Sequence, residues 1–307
     1  MTVQGRAMAG DVIFGIPELF FHSMLCWHHG DGSRHQRRTD SQGNILKDFP
    51  SWSWVGWVGS IDMTLPRLAS ETAMKKTTPP CLSYPHLIDF FNITSKPHGE
   101  HKERIRDLHY YETRGLTSSV KDEDVSSDML GEVFSVFPVV SEDTTKSIAT
   151  ERVHSTIIGF RTHRLIASLS NHDRNDLNKD TPILVGPGGQ MIGTLDVNIS
   201  LDNLQLPQHH VELICITMSA PVCKEHTLLR NTGGKYMPYD KCPSECSSEH
   251  FYSRYSFPIT ESNWQFRYYD VLWIEWEDGI AYRKAIGQVW KEDWDAADTE
   301  EVDIRLG

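Results

Sequence analysis

The chain has 307 residues, with 30 Lys and Arg against 42 Asp and Glu, a formal net charge of −12. Hydrophobic residues make up 39%, and Gly (21) and Pro (15) are near ordinary shares, which excludes collagen-like and fully disordered classes. The acidic balance argues against a general nucleic-acid binder, and no run of about 18 apolar residues offers a membrane-spanning helix.

The first stretch, 1–65, is aromatic and irregular. Met1 to Gly10 holds one Arg and no apolar core, and Val12 to Phe21 is broken by Gly15, Pro17 and Glu18, so no secretory signal is expected. Pro17 suits the first position of a short helix with Glu18 in its first turn, and Leu19, Phe20, Ser23, Met24 and Trp27 then share a face. Gly30 to Asp48 reads as a loop, with Arg34, Arg37 and Arg38 a small solvated basic patch. Trp52 and Trp54 are two apart, so an extended backbone places both on one face.

Residues 66–150 form a variable, partly irregular region. Thr77-Thr78-Pro79-Pro80 marks a linker. His86 to Ile93 reads as a strand with Leu87, Phe91 and Ile93 on one face, and Glu100 to His109 as a charged helix. The polar run Thr117 to Asp128 has no regular pattern.

Residues 151–307 read as a β-rich C-terminal domain. Val153 to Leu169 is one long or bent strand. Ile183-Leu184-Val185 and Met191 to Val197 flank a Gly-rich turn, and Val211 to Met218 is a strand buried on both faces. A polar insertion spans 222–262. Asp278-Gly279 then joins two alternating runs, the pattern of a type I′ hairpin. The expected register pairs Glu277 with Ile280, Trp276 with Ala281, Glu275 with Tyr282, Ile274 with Arg283 and Trp273 with Lys284. It places Leu272, Ile274, Trp276, Ala281 and Ala285 on the core face. Trp273, Glu275, Glu277, Tyr282 and Lys284 fall on an amphipathic face, with a Trp273–Lys284 cation–π contact. A short helix falls near Asp293 to Ala297. The expected fold class is α+β and β-dominated, with an antiparallel sheet or barrel-like C-terminal region and a few short helices.

Several residue groups carry ligand chemistry. Trp52, Trp54 and Trp57 suit a stacking platform, although large aromatics more often fill a core. Cys242, Cys246 and His250, with Cys223 and His226 upstream, are zinc-ligand types, but their spacing matches no standard finger and Pro243 interrupts a helix. Glu275 and Glu277 lie about 6.6 Å apart along a strand, a separation that overlaps that of glycosidase carboxylates, while the plain reading is a solvated face beside Lys284. His22, His28, His29 and His35 are candidate ligands or bases among 15 histidines. No nucleophile elbow or phosphate loop is present, since Gly186-Pro187-Gly188-Gly189 lacks the P-loop Lys-Ser/Thr. The pattern assigns no cofactor and no catalytic residue. Six cysteines are too sparse for a disulfide scaffold and read as reduced thiols in a cytoplasmic protein, so the sequons at Asn92 and Asn198 carry no glycan.

Gly15-Ile16-Pro17-Glu18 with Met24-Leu25-Cys26-Trp27 resembles the end of the fungal heterokaryon-incompatibility (HET) domain. Phe49-Pro50-Ser51-Trp52-Ser53-Trp54-Val55-Gly56-Trp57 resembles the Trp-rich segment that follows it. Val271 to Lys284 resembles the C-terminal hairpin of the same family, and Gly189 to Val197 is similar to one of its middle strands. The Ser-Tyr-x-Trp-Gly and Trp-x-Asp-x-x-Cys-Ile-x-Gln signatures of the HET domain are absent from these 307 residues. The resemblance therefore implies a truncated protein of non-self recognition and programmed cell death, serving as a non-catalytic accessory or interaction region. The alternative is a β-rich hydrolase or ligand-binding protein using the Trp clusters and Glu275/Glu277. A missing lobe predicts an exposed apolar patch over residues 12–27, open to a protein partner.

Overall fold

In the computed structural model, the described residues are 11–29, 36–62, 87–97, 99–107, 110, 117–118, 139–140, 154–170, 182–196, 210–219, 222–223, 251–252 and 268–307. The fold is α+β and β-dominated, with a large antiparallel sheet and a few short helices.

The N-terminal segment is a run of short pieces. β1 (Val12–Ile13) and β2 (Ile16–Pro17) form a tight hairpin whose turn residues, Phe14 and Gly15, both have positive φ. A 3₁₀ turn at Glu18–Phe20 and a helix at Phe21–Met24 follow, close to where Pro17 and Glu18 predict a helix. Leu19, Phe20 and Phe21 are all buried, so no single helical face is selected. β3 (His28–His29) pairs β6 (Ile61–Asp62), and β4 (Gln36–Arg37) pairs β5 (Trp57–Val58). Between them Trp54–Gly56 is a 3₁₀ turn capped by the Ser53 hydroxyl, not the extended run that two tryptophans two apart suggested.

β7 (Phe91–Lys96) and β8 (Gly99–Arg104) form a hairpin. The helix expected from Glu100 is thus a strand: β8 is exposed and charged, so it shows no alternation, and pairing with β7 fixes its conformation. Leu87 lies outside the strand and is exposed, while Ile88 and Phe90 are buried. β9 (Thr117–Ser118) pairs β10 (Val139–Val140). The rest of the polar run from Thr117 lies outside the described residues.

The main sheet is completed by β11 (Ile158–Ser170), β12 (Ile183–Val185), β13 (Met191–Asp196), β14 (His210–Ser219), β17 (Tyr268–Glu277), β18 (Ile280–Trp290) and β19 (Glu300–Leu306). β15 (Val222–Cys223) pairs β16 (Phe251–Tyr252). One edge of β11 pairs β14 through Arg164–Ser168. Its other edge pairs β19 through Ile158–Arg164 and β12 through Ser168–Ser170. From β12 the pairings run through β13, β18, β17 and β14 back to β11, so the sheet closes into a six-stranded barrel. β19 fills the wedge between β11 and β18, and β7 continues the sheet from the start of β11.

Closure gives the two faces different cores. Leu165, Ala167 and Leu169 of β11, Val211, Leu213 and Cys215 of β14, and Val271 and Trp273 of β17 form one cluster with Leu184, Leu195 and Val289. These residues point into the barrel, because residues from every barrel strand meet there. The alternate positions, Phe160, Ile214, Ile216, Leu272, Ile274 and Ile304, point outward and pack against Ile13, Ile16, Phe21, Leu25, Trp52 and Phe90. β14 is therefore buried on both faces, as its continuous apolar run predicts.

The exposed apolar patch expected over 12–27 is not there. Ile13, Ile16, Leu19, Phe21, Leu25 and Trp27 are each at most 1% exposed. The outer face of the barrel is itself apolar and must be covered, and this stretch covers it. Those six side chains are not open to a partner.

The hairpin turn has positive φ at both Asp278 and Gly279, as a type I′ turn requires. The expected register holds from Glu277–Ile280 to Ile274–Arg283. A bulge then sets Trp273 opposite Ala285 and lets Lys284 drop out of the pairing. In consequence Ala285, expected beside Leu272 and Ile274, turns into the barrel interior with Trp273, so Trp273 meets Ala285 rather than Lys284, and Lys284 pairs with Glu275. The helix Lys291–Ala296 falls where a short one is expected, and Trp294 seats it on the inner core.

Candidate functional site

The candidate site is a cleft of about 670 Å³ between the Trp-rich segment and the tip of the β17–β18 hairpin. Its floor is built by residues from both ends of the chain. The Ser51 amide donates to the Gly307 backbone oxygen at 2.9 Å, and the Gly307 amide donates to Ala281 O at 2.9 Å. The Ser51 hydroxyl accepts from the Arg283 amide at 2.8 Å and donates to Gly307 O. Behind this floor the Arg283 guanidinium is buried over the Trp27 ring, 4.0 Å from its centroid, and donates to Leu25 O at 2.7 Å and to Trp27 O.

The three tryptophans do not form one platform. Trp52 is fully buried, and its Nε1 donates to Thr156 O at 2.9 Å. Trp54 is partly buried against the outer core. Only Trp57 lines the cleft. Its Nε1 donates to Ser51 O at 2.8 Å, and Arg37 stacks 5.5 Å from its ring centroid. The plainer reading, an aromatic plug, describes Trp52, and Trp57, itself 8% exposed, borders the cleft.

Glu275 and Glu277 both line the cleft, yet each is engaged. Glu275 meets Lys284 at 2.9 Å and Glu277 meets Lys47 at 3.0 Å, and both carboxylates are more than half exposed. The hydrogen bond from Lys47 to Glu277 raises the lysine pKa above its ordinary value.

Arg37 is the residue sequence reasoning misjudged. It lies in the stretch read as a solvated basic loop, but its guanidinium is half-buried. Nη2 donates to Phe49 O at 2.6 Å and Nε to Gly56 O at 3.1 Å. Burial lowers its pKa from the ordinary arginine value, and the nearby Tyr282 phenol opposes that shift. The same phenol is within electrostatic reach of Lys47. The Asp40 carboxylate accepts the Asn44 side-chain amide and the backbone amides of Asn44 and Gln42, which holds its own pKa low and shapes the turn that brings Ile45 and Lys47 to the rim. Only the Asp40-x-x-x-Asn44 turn chemistry hinted at this ordering in the sequence. Arg38 stays exposed, and Arg34 lies outside the described residues.

His28 and His29 are buried among Trp27 and Trp57, where His29 makes edge contacts with both rings. His22 lies 3.9 Å from Asp107. Among the described residues no three His, Cys, Asp or Glu side chains converge as a metal site. His35 and the proposed zinc ligands His226, Cys242, Cys246 and His250 lie outside the described residues, as does the side chain of Cys223. Cys26 and Cys215 are buried free thiols, and burial pushes the Cys215 pKa up. No described helix is long and apolar enough to cross a membrane.

Comparison with protein families, with curated proteins and with solved structures finds no match for this chain.

Proposed function

We propose that the chain is a non-catalytic accessory and interaction region of the heterokaryon-incompatibility type, working in the cytoplasm in fungal non-self recognition and programmed cell death. The observation that carries this reading is where the resembling segments meet. Trp27 donates to Trp52 O at 2.8 Å, Arg283 grips the Leu25 and Trp27 carbonyls, and Ser51 accepts from the Arg283 amide. The first segment, the Trp-rich segment and the hairpin thus form one knot, as they would if the three motifs served a common fold. The non-catalytic part rests on the carboxylates. A glycosidase of either stereochemistry needs one carboxyl held as an acid in a dry site. Here both are open to water and paired to lysines.

The test is fusion-cell viability. Fungal strains bearing this chain are fused with otherwise identical strains lacking it. A fall in viability of the mixed fusions relative to self-fusions is the expected result. Equal viability overturns the reading. The ligand-binding alternative is favoured by one observation, the cleft.

A further inference from the structure

We propose that the cleft binds a small organic anion carrying a planar ring, its carboxylate or phosphate held by Arg37 and its ring laid against Trp276. This goes beyond the family reading and does not depend on it.

Three observations converge. The first is the state of Arg37. Among the described residues it has no carboxylate partner, and its Nη1 has no acceptor; its other nitrogens are fixed by the Phe49 and Gly56 carbonyls and its face by Trp57. A guanidinium locked in place, half out of water and lacking an anion is preorganised for a planar oxyanion, since no side-chain freedom remains to be lost on binding. The second is charge. The cleft's two lysines, Lys47 and Lys284, are matched by Glu277 and Glu275, while Arg37 adds a positive charge that no Asp or Glu among the described residues meets, in a protein of net charge −12. Local excess and global deficit of positive charge together mark the place where an anion is favoured. The third is apolar surface. Trp276 is 42% exposed and Ile45 53%, both on the cleft wall. Tyr282 completes that wall next to Arg37 and Lys47. A volume of about 670 Å³ suits a ligand of one or two rings.

Calorimetric titration of the full chain tests this with four probes: 1-naphthyl phosphate, 2-naphthoate, the neutral 2-naphthalenemethanol and inorganic phosphate. At least one aryl anion is expected to bind at one site with sub-millimolar affinity, and the two together report whether phosphate or carboxylate is preferred. The neutral probe and inorganic phosphate are expected to bind about tenfold more weakly or not at all. Trp276→Ala and Arg37→Lys are each expected to weaken the aryl anion about tenfold. Absence of aryl-anion binding to the unaltered chain overturns the proposal. Equal binding of the neutral probe overturns its anion half, and equal binding of inorganic phosphate its ring half. Arg37 also holds two loop carbonyls, so Arg37→Lys is read only if its melting curve matches the parent. Trp276 is 42% exposed and lies near the hairpin tip, so Trp276→Ala folds and decides the matter alone if the arginine variant does not: unchanged affinity in it removes the site.

Discussion

Arg283 is where the two ends of the chain converge. It sits on the face of β18 that the hairpin register assigned to the core, where a charge needs strong compensation. It finds this in two main-chain carbonyls and in the Trp27 ring. Arg283→Met is expected to cost about 3–5 kcal/mol in urea unfolding, because it strips the donors from two buried carbonyls. Arg283→Lys should recover less than half of that, since one ammonium cannot span both carbonyls as a guanidinium fork does. A loss below about 1 kcal/mol for the methionine variant would show that Arg283 is not the tie. Cys215 gives a pH prediction at the same scale. Burial raises its thiol pKa above the ordinary 9.0. The folded chain therefore keeps a proton that the unfolded chain releases. The associated stability is fully present below about pH 8 and falls as pH rises past the unfolded thiol's pKa. Cys215→Ala should flatten the decline in unfolding free energy between about pH 8 and pH 10. An identical slope in both proteins would sink that reading.

Among the elements, what was legible in the sequence had local causes. The Asp278-Gly279 turn, the Gly-rich turn before Met191 and the double burial of β14 all follow from glycine's freedom or from alternation, and all are present. What was not legible depends on partners distant in sequence. β8 is a strand because β7 lies beside it, and the cleft exists because residues 36–57 fold back over the hairpin. Arg37 showed nothing in its own neighbourhood of the Trp57 ring it stacks on. The barrel seam between β13 and β18 was equally hidden. A Cβ on Gly193 would stand 2.1 Å from Gln288 O, and one on Gly287 2.3 Å from Thr194 O. These are backbone obstacles, so Gly287→Ala should cost more than about 2 kcal/mol by forcing the strands apart. Gly279→Ala meets open space and suffers only its positive φ, so about 1 kcal/mol is expected. Thermal melts of the two variants check the order, and a reversed order would place the strain at the turn rather than the seam.

For the whole molecule the question is whether the N-terminal segment is a separable cover or part of the cooperative unit. The outer core mixes Ile13, Ile16, Phe21, Leu25 and Trp52 with Phe160, Ile216, Leu272 and Ile304. Lifting the segment would expose both sets at once, and it would also break the Ser51–Gly307 and Arg283–Leu25 hydrogen bonds. Since large apolar exposure is the costliest local opening, the segment should open only with the barrel. Native-state hydrogen exchange tests this directly. The amides of Leu25 and Ser51, both hydrogen-bonded to main-chain oxygens, should exchange within about tenfold of the interior amides of β17. In Arg283→Met they should speed up together with those of β17, by the same factor. If Leu25 and Ser51 instead exchange orders of magnitude faster while β17 stays protected, the cover is a lid on an independent barrel, and the knot of three segments does not hold the fold together.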